Sequence, residues 1–236
     1  MIYITGDTHG ETSSFQQILD FCIAYKTTKE DFMIITGDAG LNYNLNRLDM
    51  ELKEWVSDFP ITFFFVRGNH EERPENLPEY ELIKIDNERI EGNVFVEEMY
   101  PSLLFADNGL FRIENMSFYV INGAYSVDKY SRLAFNAPWF SDEELFESEM
   151  EKIMAEIKII PYVDCVLTHT CPEKYIPEEA LLHNFNQEYI SRKMEKFLDE
   201  IESSLNYGLW YCGHWHIDKV EERIIFLYKE ILNVEH

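Results

Sequence analysis

The sequence has no apolar run that approaches the roughly 20 residues of a membrane-spanning helix. No basic segment precedes an apolar stretch near its start, so we expect neither a signal peptide nor a membrane span. The four cysteines, at positions 22, 165, 171 and 212, show no C-x-x-C spacing. We therefore expect reduced thiols and a cytoplasmic location.

Basic residues are scarce as well. The chain has 20 Lys and Arg against 44 Asp and Glu, which gives a formal net charge of −24. A field of this sign repels polyanions at long range, so binding of bulk DNA or RNA is disfavoured. The same charge also promotes solubility and indicates no function by itself. The length of 236 residues, 46% of them hydrophobic, suits one large α/β domain over 1–236.

Five apolar segments are each followed by side chains of the types that bind metal ions. The run from Ile61 to Val66 predicts a strand buried on both faces, and the run 67–71 that follows it is Arg-Gly-Asn-His-Glu. The segments 2–5, 32–36, 163–168 and 208–212 end in similar polar residues. The first three segments repeat at the length of a βαβ unit, and such units deliver residues to one edge of a sheet. The candidate ligands at this edge are Asp7, His9, Asp38, Asn69, His70, His169, His214 and His216.

These side chains offer carboxylate, amide and imidazole donors, a mixture that suits Mn²⁺, Fe and Zn²⁺. One ion needs about four ligands, so the set predicts two ions. A bridging carboxylate holds two cations roughly 3.5–4 Å apart in two-metal phosphoryl chemistry. Asp38, in the middle of the first three segments, is the predicted bridge.

The blocks D-x-H, G-D, G-N-H-D/E, H and G-H-x-H occur in this order within residues 5–216. In these five blocks the chain resembles the calcineurin-like metallophosphoesterases. The resemblance implies an α/β fold of the four-layer α/β/β/α sandwich type. It also implies a metal-dependent phosphatase or phosphodiesterase that uses a hydroxide activated by two metals. One metal would bind Asp7, His9, Asp38 and His216, and the second would bind Asp38, Asn69, His169 and His214.

The resemblance further implies two divalent cofactor ions, with manganese preferred and iron, zinc or nickel open. The expected substrate is a small phosphate ester. Asp38 and His70 are the expected catalytic residues. Because His70 is not a ligand in the family pattern, we expect it to protonate the leaving alkoxide or to stabilise phosphoryl charge.

The sequence departs from the protein Ser/Thr phosphatases of this family at 37–43. Their G-D-x-x-D-R-G block carries an arginine that grips the phosphate, whereas residues 37–43 are Gly-Asp-Ala-Gly-Leu-Asn-Tyr. Lys129 and Arg132 are the candidates to replace it, and Arg67 is a further substrate-binding candidate near the site. Pairing with acidic residues is the alternative for each. A protein Ser/Thr phosphatase-like enzyme and a non-catalytic metal-binding scaffold are the alternative functions, although the complete ligand set argues against the scaffold.

Apolar residues at helical spacing predict helices over 11–25, 48–56 and about 187–205. A further helix is predicted to end near Ile157 and to begin at a capping box in 141–144. We expect hairpins at 111–121 and 223–234, and a loop-rich crossing over 72–116. We also expect a loop over 122–132, and His183 in another loop.

Overall fold

The strands form one continuous hydrogen-bonded sheet in the computed structural model, which describes residues 1–181 and 190–234. The strands are β1 (Ile2–Thr5), β2 (Phe32–Ile35), β3 (Thr62–Phe65), β4 (Tyr80–Asp86), β5 (Ile90–Glu97), β6 (Leu103–Ala106), β7 (Gly109–Ile113), β8 (Met116–Ile121), β9 (Val163–Thr168), β10 (Tyr207–Cys212), β11 (Lys219–Glu221), β12 (Ile224–Phe226) and β13 (Leu232–Asn233). The α-helices are α1 (Thr12–Tyr25), α2 (Arg47–Ser57), α3 (Lys129–Phe135), α4 (Glu147–Ile157) and α5 (Lys193–Ser204).

The sheet has a parallel segment towards each end and antiparallel strands between them. β1, β2, β3 and β6 form the first parallel segment, and β8, β9, β10 and β12 form the second. The antiparallel strands β5 and β7 join the two segments. β13 and β11 lie at the two edges, and β4 pairs with β5 outside the main order.

The two parallel segments share one buried core, so the sheet folds back on itself. Ile4 and Ile34 of the first segment belong to the same apolar cluster as Phe118 and Leu167 of the second. Strands in such a sheet are buried on both faces, which explains why β1, β2 and β9 are almost continuously apolar.

Helices cover the outer face of each segment. Phe15 of α1 and Val56 of α2 pack with Met33 on the first segment. Ile153 of α4 and Leu198 of α5 pack with Val166 on the second segment. The layers therefore run helix, sheet, sheet, helix, which confirms the predicted α/β/β/α sandwich.

The five strands that were predicted to carry ligands are confirmed as β1, β2, β3, β9 and β10. The predicted helices over 11–25 and 48–56 correspond to α1 and α2, and the hairpin at 111–121 corresponds to β7 and β8. None of the described helices has the length and apolar character needed to cross a bilayer.

Two predictions from local pattern are wrong. The segment 72–116 contains β4, β5 and β6 rather than mostly loop. Most of β4 faces solvent, so its apolar alternation is weak. The hairpin at 223–234 does not form, because β12 pairs with β10 and β11 whereas β13 pairs with β1 at the other edge of the sheet.

Three predicted boundaries also differ. The helix predicted from the capping box at 141–144 starts instead at Glu147, because the Glu144 carboxylate accepts a hydrogen bond from Ser191 and the N-terminal cap is formed by Phe146 and Glu149. The predicted loop 122–132 runs into α3 at Lys129. Within the described residues, α5 starts at Lys193 rather than near position 187. Positions 187–189 and His183 lie outside the described residues.

Candidate metal centre

Five strand ends meet at one edge of the folded sheet. The loops after β1, β2 and β3 carry the first group of predicted ligands, and the loops after β9 and β10 carry the rest. Because the sheet folds back, these two sets of loops face each other across a cleft. The structure brings together all of the predicted ligands and His70, namely Asp7, His9, Asp38, Asn69, His70, His169, His214 and His216.

The first group of donor atoms consists of Asp7, His9 and His216. Nε2 of His216 lies 3.2 Å from Oδ2 of Asp7, and Nε2 of His9 lies 3.7 Å from the same oxygen. The two imidazole Nε2 atoms are 2.8 Å apart. The three donor atoms therefore converge on one point, and a single cation could accept all of them.

The second group consists of Asp38, Asn69 and His169. Nε2 of His169 lies 3.0 Å from Oδ1 of Asn69 and 3.4 Å from Oδ2 of Asp38. The ring of His214 packs against the ring of His169, with centroids 4.9 Å apart. The backbone N–H of His214 donates to Asp7, which links the two groups.

Asp38 belongs to both groups. Its Oδ2 lies 3.4 Å from Nε2 of His169 and 3.9 Å from Nδ1 of His9. Its other oxygen, Oδ1, accepts a hydrogen bond from the backbone N–H of His70. The backbone thus orients this carboxylate, and its Oδ2 lies near one side chain of each group, Nε2 of His169 and Nδ1 of His9.

Several of these residues adopt an unusual backbone conformation. His9, Asp38, His214 and His216 have φ angles of 51°, 49°, 68° and 50°. This left-handed region is costly for residues other than glycine and is concentrated at functional sites. The surrounding structure stabilises it here, for example through the bond from His9 N–H to the carbonyl of Asp38.

Two glycines of the sequence blocks allow the ligands to approach closely. A Cβ atom at Gly68 would overlap Oδ1 of Asp38, and a Cβ atom at Gly37 would overlap the ring of His169. Gly37 also has a φ angle of 105°, which side chains rarely allow. The glycines in G-D and G-N-H are therefore needed for packing as well as for the turn.

The buried carboxylates create a negative potential in the centre. Burial opposes a charge on His169, but Asp38 and Asp7 outweigh it and raise the pKa of His169 to about 9. Burial likewise opposes ionisation of Asp38, but His169 and His70 outweigh it and hold its pKa well below the usual range. Positive charge is thus stabilised at this position, and the donor set suits a divalent cation.

His70 lies beside the ligands and contacts a buried arginine. The guanidinium of Arg132 contacts its ring nitrogens, with Nη2 2.6 Å from Nδ1. Arg132 is only 6% exposed, and it also donates to Asp128 and to the carbonyl of Pro138. Burial, aided by Arg132 and His9 and opposed by Asp38, lowers the pKa of His70 to about 4. The imidazole is therefore neutral near pH 7.

The other two candidate cations have different surroundings. Arg67 is buried, and its guanidinium donates to the carbonyls of Gly68 and Glu143. It stabilises the loop after β3 through these bonds and does not line the cleft. The ammonium of Lys129 lies 4.1 Å from the ring centroid of Trp139, which is also outside the cleft.

The cleft above the donor atoms has a volume of about 240 Å³. Within the described part of the chain, the metal-binding side chains and His70 line part of the cleft, and the rest of its lining is largely apolar. The apolar lining consists of Val127, Ala180, Leu181, Ile190 and Trp215, and Asp128 and Arg192 also line the cleft.

Sequence reasoning missed two buried polar residues next to the ligands. Ser126 accepts a hydrogen bond from the side chain of Asn69, and Glu143 accepts two from Ser126. Ser126 lies in the predicted loop 122–132 and Glu143 in the predicted capping box at 141–144, and neither position indicated a connection to Asn69.

A model of the calcineurin-like phosphoesterase family matches residues 1–218 of the chain. No curated protein matches it. Among solved structures the chain is similar to a phosphopantetheinyl hydrolase from Mycobacterium tuberculosis, with 12% sequence identity and a TM-score of 0.42 over 96% of this chain and 87% of that one. The family model covers every strand end described above, so the chain belongs to the calcineurin-like phosphoesterase family and is a metal-dependent phosphoric ester hydrolase.

Proposed function

We propose that this enzyme hydrolyses small organic phosphate esters with two divalent metal ions. The family implies a binuclear centre, and the observation that carries the proposal is the shared carboxylate of Asp38. Its Oδ2 lies 3.4 Å from Nε2 of His169 in one group and 3.9 Å from Nδ1 of His9 in the other. One ion is assigned to Asp7, His9, Asp38 and His216, and the other to Asp38, Asn69, His169 and His214.

Manganese is the proposed native metal, with iron, zinc and nickel as the alternatives. The donor set supports this choice because it combines imidazole nitrogens with carboxylate and amide oxygens and needs no thiolate. When bound, the two cations supply an activated water and neutralise charge on the phosphoryl oxygens. The role of the chain is to hold the donors in place and to orient the ester.

His70 and Arg132 are proposed to stabilise charge that develops on the phosphoryl group. Arginine is only a donor, so the nitrogen of His70 that accepts from it carries no proton. While this contact holds, the imidazole is neutral and carries one N–H. The contact therefore supports charge stabilisation, the second of the two roles expected for His70, over protonation of the leaving group.

Three features support a small organic substrate over a protein or a nucleic acid. The cleft holds about 240 Å³ and has a partly apolar lining, which suits the organic part of an ester. The net charge of −24 repels polyanions. Asn42 stands where the protein Ser/Thr phosphatases carry their arginine, and here it is buried and accepts a hydrogen bond from Tyr80.

The proposed location is the cytoplasm. All four cysteines are free and buried in the structure, which suits a reducing compartment. We propose no membrane partner and no bulk nucleic-acid partner for this enzyme.

The proposal is tested by a parallel screen of mono-, di- and cyclic phosphate esters with Mn²⁺, Ni²⁺, Zn²⁺ and Mg²⁺. We expect turnover of small esters with Mn²⁺, and none after chelation of the metal. Saturation with two ions per chain, measured by elemental analysis, is expected in the same preparation. Absence of turnover with every ester and every metal would contradict the catalytic function and favour a scaffold.

A further inference from the structure

A buried chain of hydrogen bonds runs from Glu143 to Asn69. The side chain of Asn69 donates from Nδ2 to Oγ of Ser126, over 3.0 Å. Oγ of Ser126 in turn donates to Oε2 of Glu143, over 2.5 Å, and the backbone N–H of Ser126 donates to Oε1 of Glu143. The three residues are at most 3% exposed, so water does not compete for these bonds.

The direction of each bond is determined by chemistry. A backbone N–H can only donate, so Oε1 of Glu143 must accept from Ser126. When Glu143 is ionised, Oε2 accepts the single hydroxyl proton of Ser126, which leaves the Ser126 oxygen only lone pairs for its next neighbour. Asn69 must therefore present its NH₂ group to Ser126, and its carbonyl oxygen must point the opposite way. That oxygen lies 3.0 Å from Nε2 of His169, in the second donor group.

We propose that Glu143 and Ser126 are positioning residues that determine which end of the Asn69 amide faces the second metal. The inference rests on the metal assignment proposed above. An amide flipped by half a turn would offer NH₂ to the cation, and NH₂ is not a ligand. The hydrogen-bond chain prevents this flip, so the second metal site depends on a carboxylate that never contacts the metal.

The surrounding loop holds Glu143 and Ser126 rigidly in place. The backbone N–H of Arg67 donates to the Asn122 side chain, and the backbone N–H of Gly123 donates to the carbonyl of Arg67. The Arg67 guanidinium donates to the carbonyl of Glu143. Arg67 thus joins the loop after β3 to both segments that carry the hydrogen-bond chain.

The substitution Glu143→Gln tests the direction of the chain without changing its shape. The new side chain must still accept from the Ser126 N–H with its oxygen, so its NH₂ group faces Oγ of Ser126. Oγ then accepts, and its proton points to Asn69, which favours the flipped amide. We expect calorimetric titration with Mn²⁺ to show one unchanged site and one site weakened about 10- to 100-fold. Glu144→Gln, next in sequence, changes a carboxylate that accepts from Ser191, and is the matched control that should keep both sites.

A second substitution separates this mechanism from a general loss of structure. Asn69→Asp places oxygen at both ends of the side chain, so it accepts the reversed Ser126 proton and still offers an oxygen to the metal. We expect Asn69→Asp to restore metal affinity at the weakened site in the Glu143→Gln background. In the wild-type background the new carboxylate oxygen faces the lone pairs of the Ser126 oxygen, so we expect the same substitution to raise metal affinity less or to lower it. Thermal unfolding of each variant, measured without metal, controls for folding.

The outcomes are distinct. Two unchanged sites in Glu143→Gln, or the same effect of Asn69→Asp in both backgrounds, would overturn the positioning role. A wild-type protein that binds only one ion would instead contradict the proposed binuclear centre.

Discussion

Arg132 and His70 are in contact beside the metal-binding side chains, with Nη2 of Arg132 2.6 Å from Nδ1 of His70. Arg132 is fixed in turn by Asp128, four residues earlier on the chain. Burial, aided by this permanently charged guanidinium, keeps the neighbouring imidazole neutral, and the guanidinium adds positive charge next to the cleft. This contact therefore supports a role of Arg132 and His70 in stabilising charge on the phosphoryl group.

We expect His70→Ala to slow turnover of nitrophenyl and alkyl phosphates by similar factors of about 10²–10³, because charge on the phosphoryl oxygens develops in both reactions. Rates are measured on a series of esters that differ only in leaving-group pKa. A loss that grows with leaving-group pKa would show instead that His70 donates a proton. The metal content of the variant should stay unchanged, because His70 is not an assigned ligand.

The two cations of the 122–132 segment are expected to differ. Arg132→Gln should lower kcat/KM for monoesters by about 10- to 100-fold and for diesters by less, because the monoester carries an additional negative charge. Lys129→Gln should have little effect on either, since its ammonium packs on Trp139 outside the cleft. Arg132→Lys controls for charge alone. Equal losses for both ester classes would contradict a phosphate-directed role of Arg132.

Asp38→Asn is expected to weaken both metal sites together, by more than the roughly 10- to 100-fold that follows loss of a partner that only orients a ligand. The oxygen of the new amide must still accept from the backbone N–H of His70, so its NH₂ group takes the place of the shared oxygen. Metal stoichiometry is measured with Mn²⁺ on the purified variant. Asp49→Asn, another buried aspartate, which accepts from Asn44 and Leu45, is the control and should retain two ions. Retention of one tight site in Asp38→Asn would exclude a bridging role.

The buried carboxyl of Glu195 predicts a pH-dependent stability. Burial, together with Glu144, raises its pKa to about 7 from 4.5, although Arg192 and Thr170 oppose this. Because the folded-state value is the higher one, folding takes up a proton between these two pH values. The carboxyl of Glu195 therefore lowers the free energy of unfolding more and more as the pH rises from about 4.5 to 7. Above pH 7 the loss reaches roughly 3 kcal/mol.

We expect Glu195→Gln to raise the melting temperature by several degrees more at pH 8 than at pH 5. The measurement is the difference in melting temperature between the variant and the wild type across this range, which cancels contributions from other groups. Glu200→Gln, at an exposed position of the same helix, controls for surface charge. A melting-temperature difference that does not change with pH would contradict the raised pKa of Glu195.

The ligand-bearing strands could be predicted because the information is local. Continuous apolar runs such as 61–66 mark strands that are buried on both faces, and the polar residues after Gly68 mark their ends. Predictions failed where the local signal is weaker. β4 is largely exposed, and the pairing of β13 with β1 joins residues more than 200 positions apart.

The sequence by itself determined the strand ends, the ligand types and the family, because each of these depends on neighbouring residues and their spacing. The family resemblance implied which ligands share a metal, but only the tertiary structure decided how these distant side chains meet and which other residues contact them. His9 and His216 are separated by 207 positions, yet their imidazoles lie 2.8 Å apart, because the sheet folds back and brings its two parallel segments face to face. The contact of Arg132 with His70 and the hydrogen bonds from Glu143 to Asn69 likewise join loops of different strands. Such pairings depend on long-range packing of the whole core, which no local pattern of residues encodes.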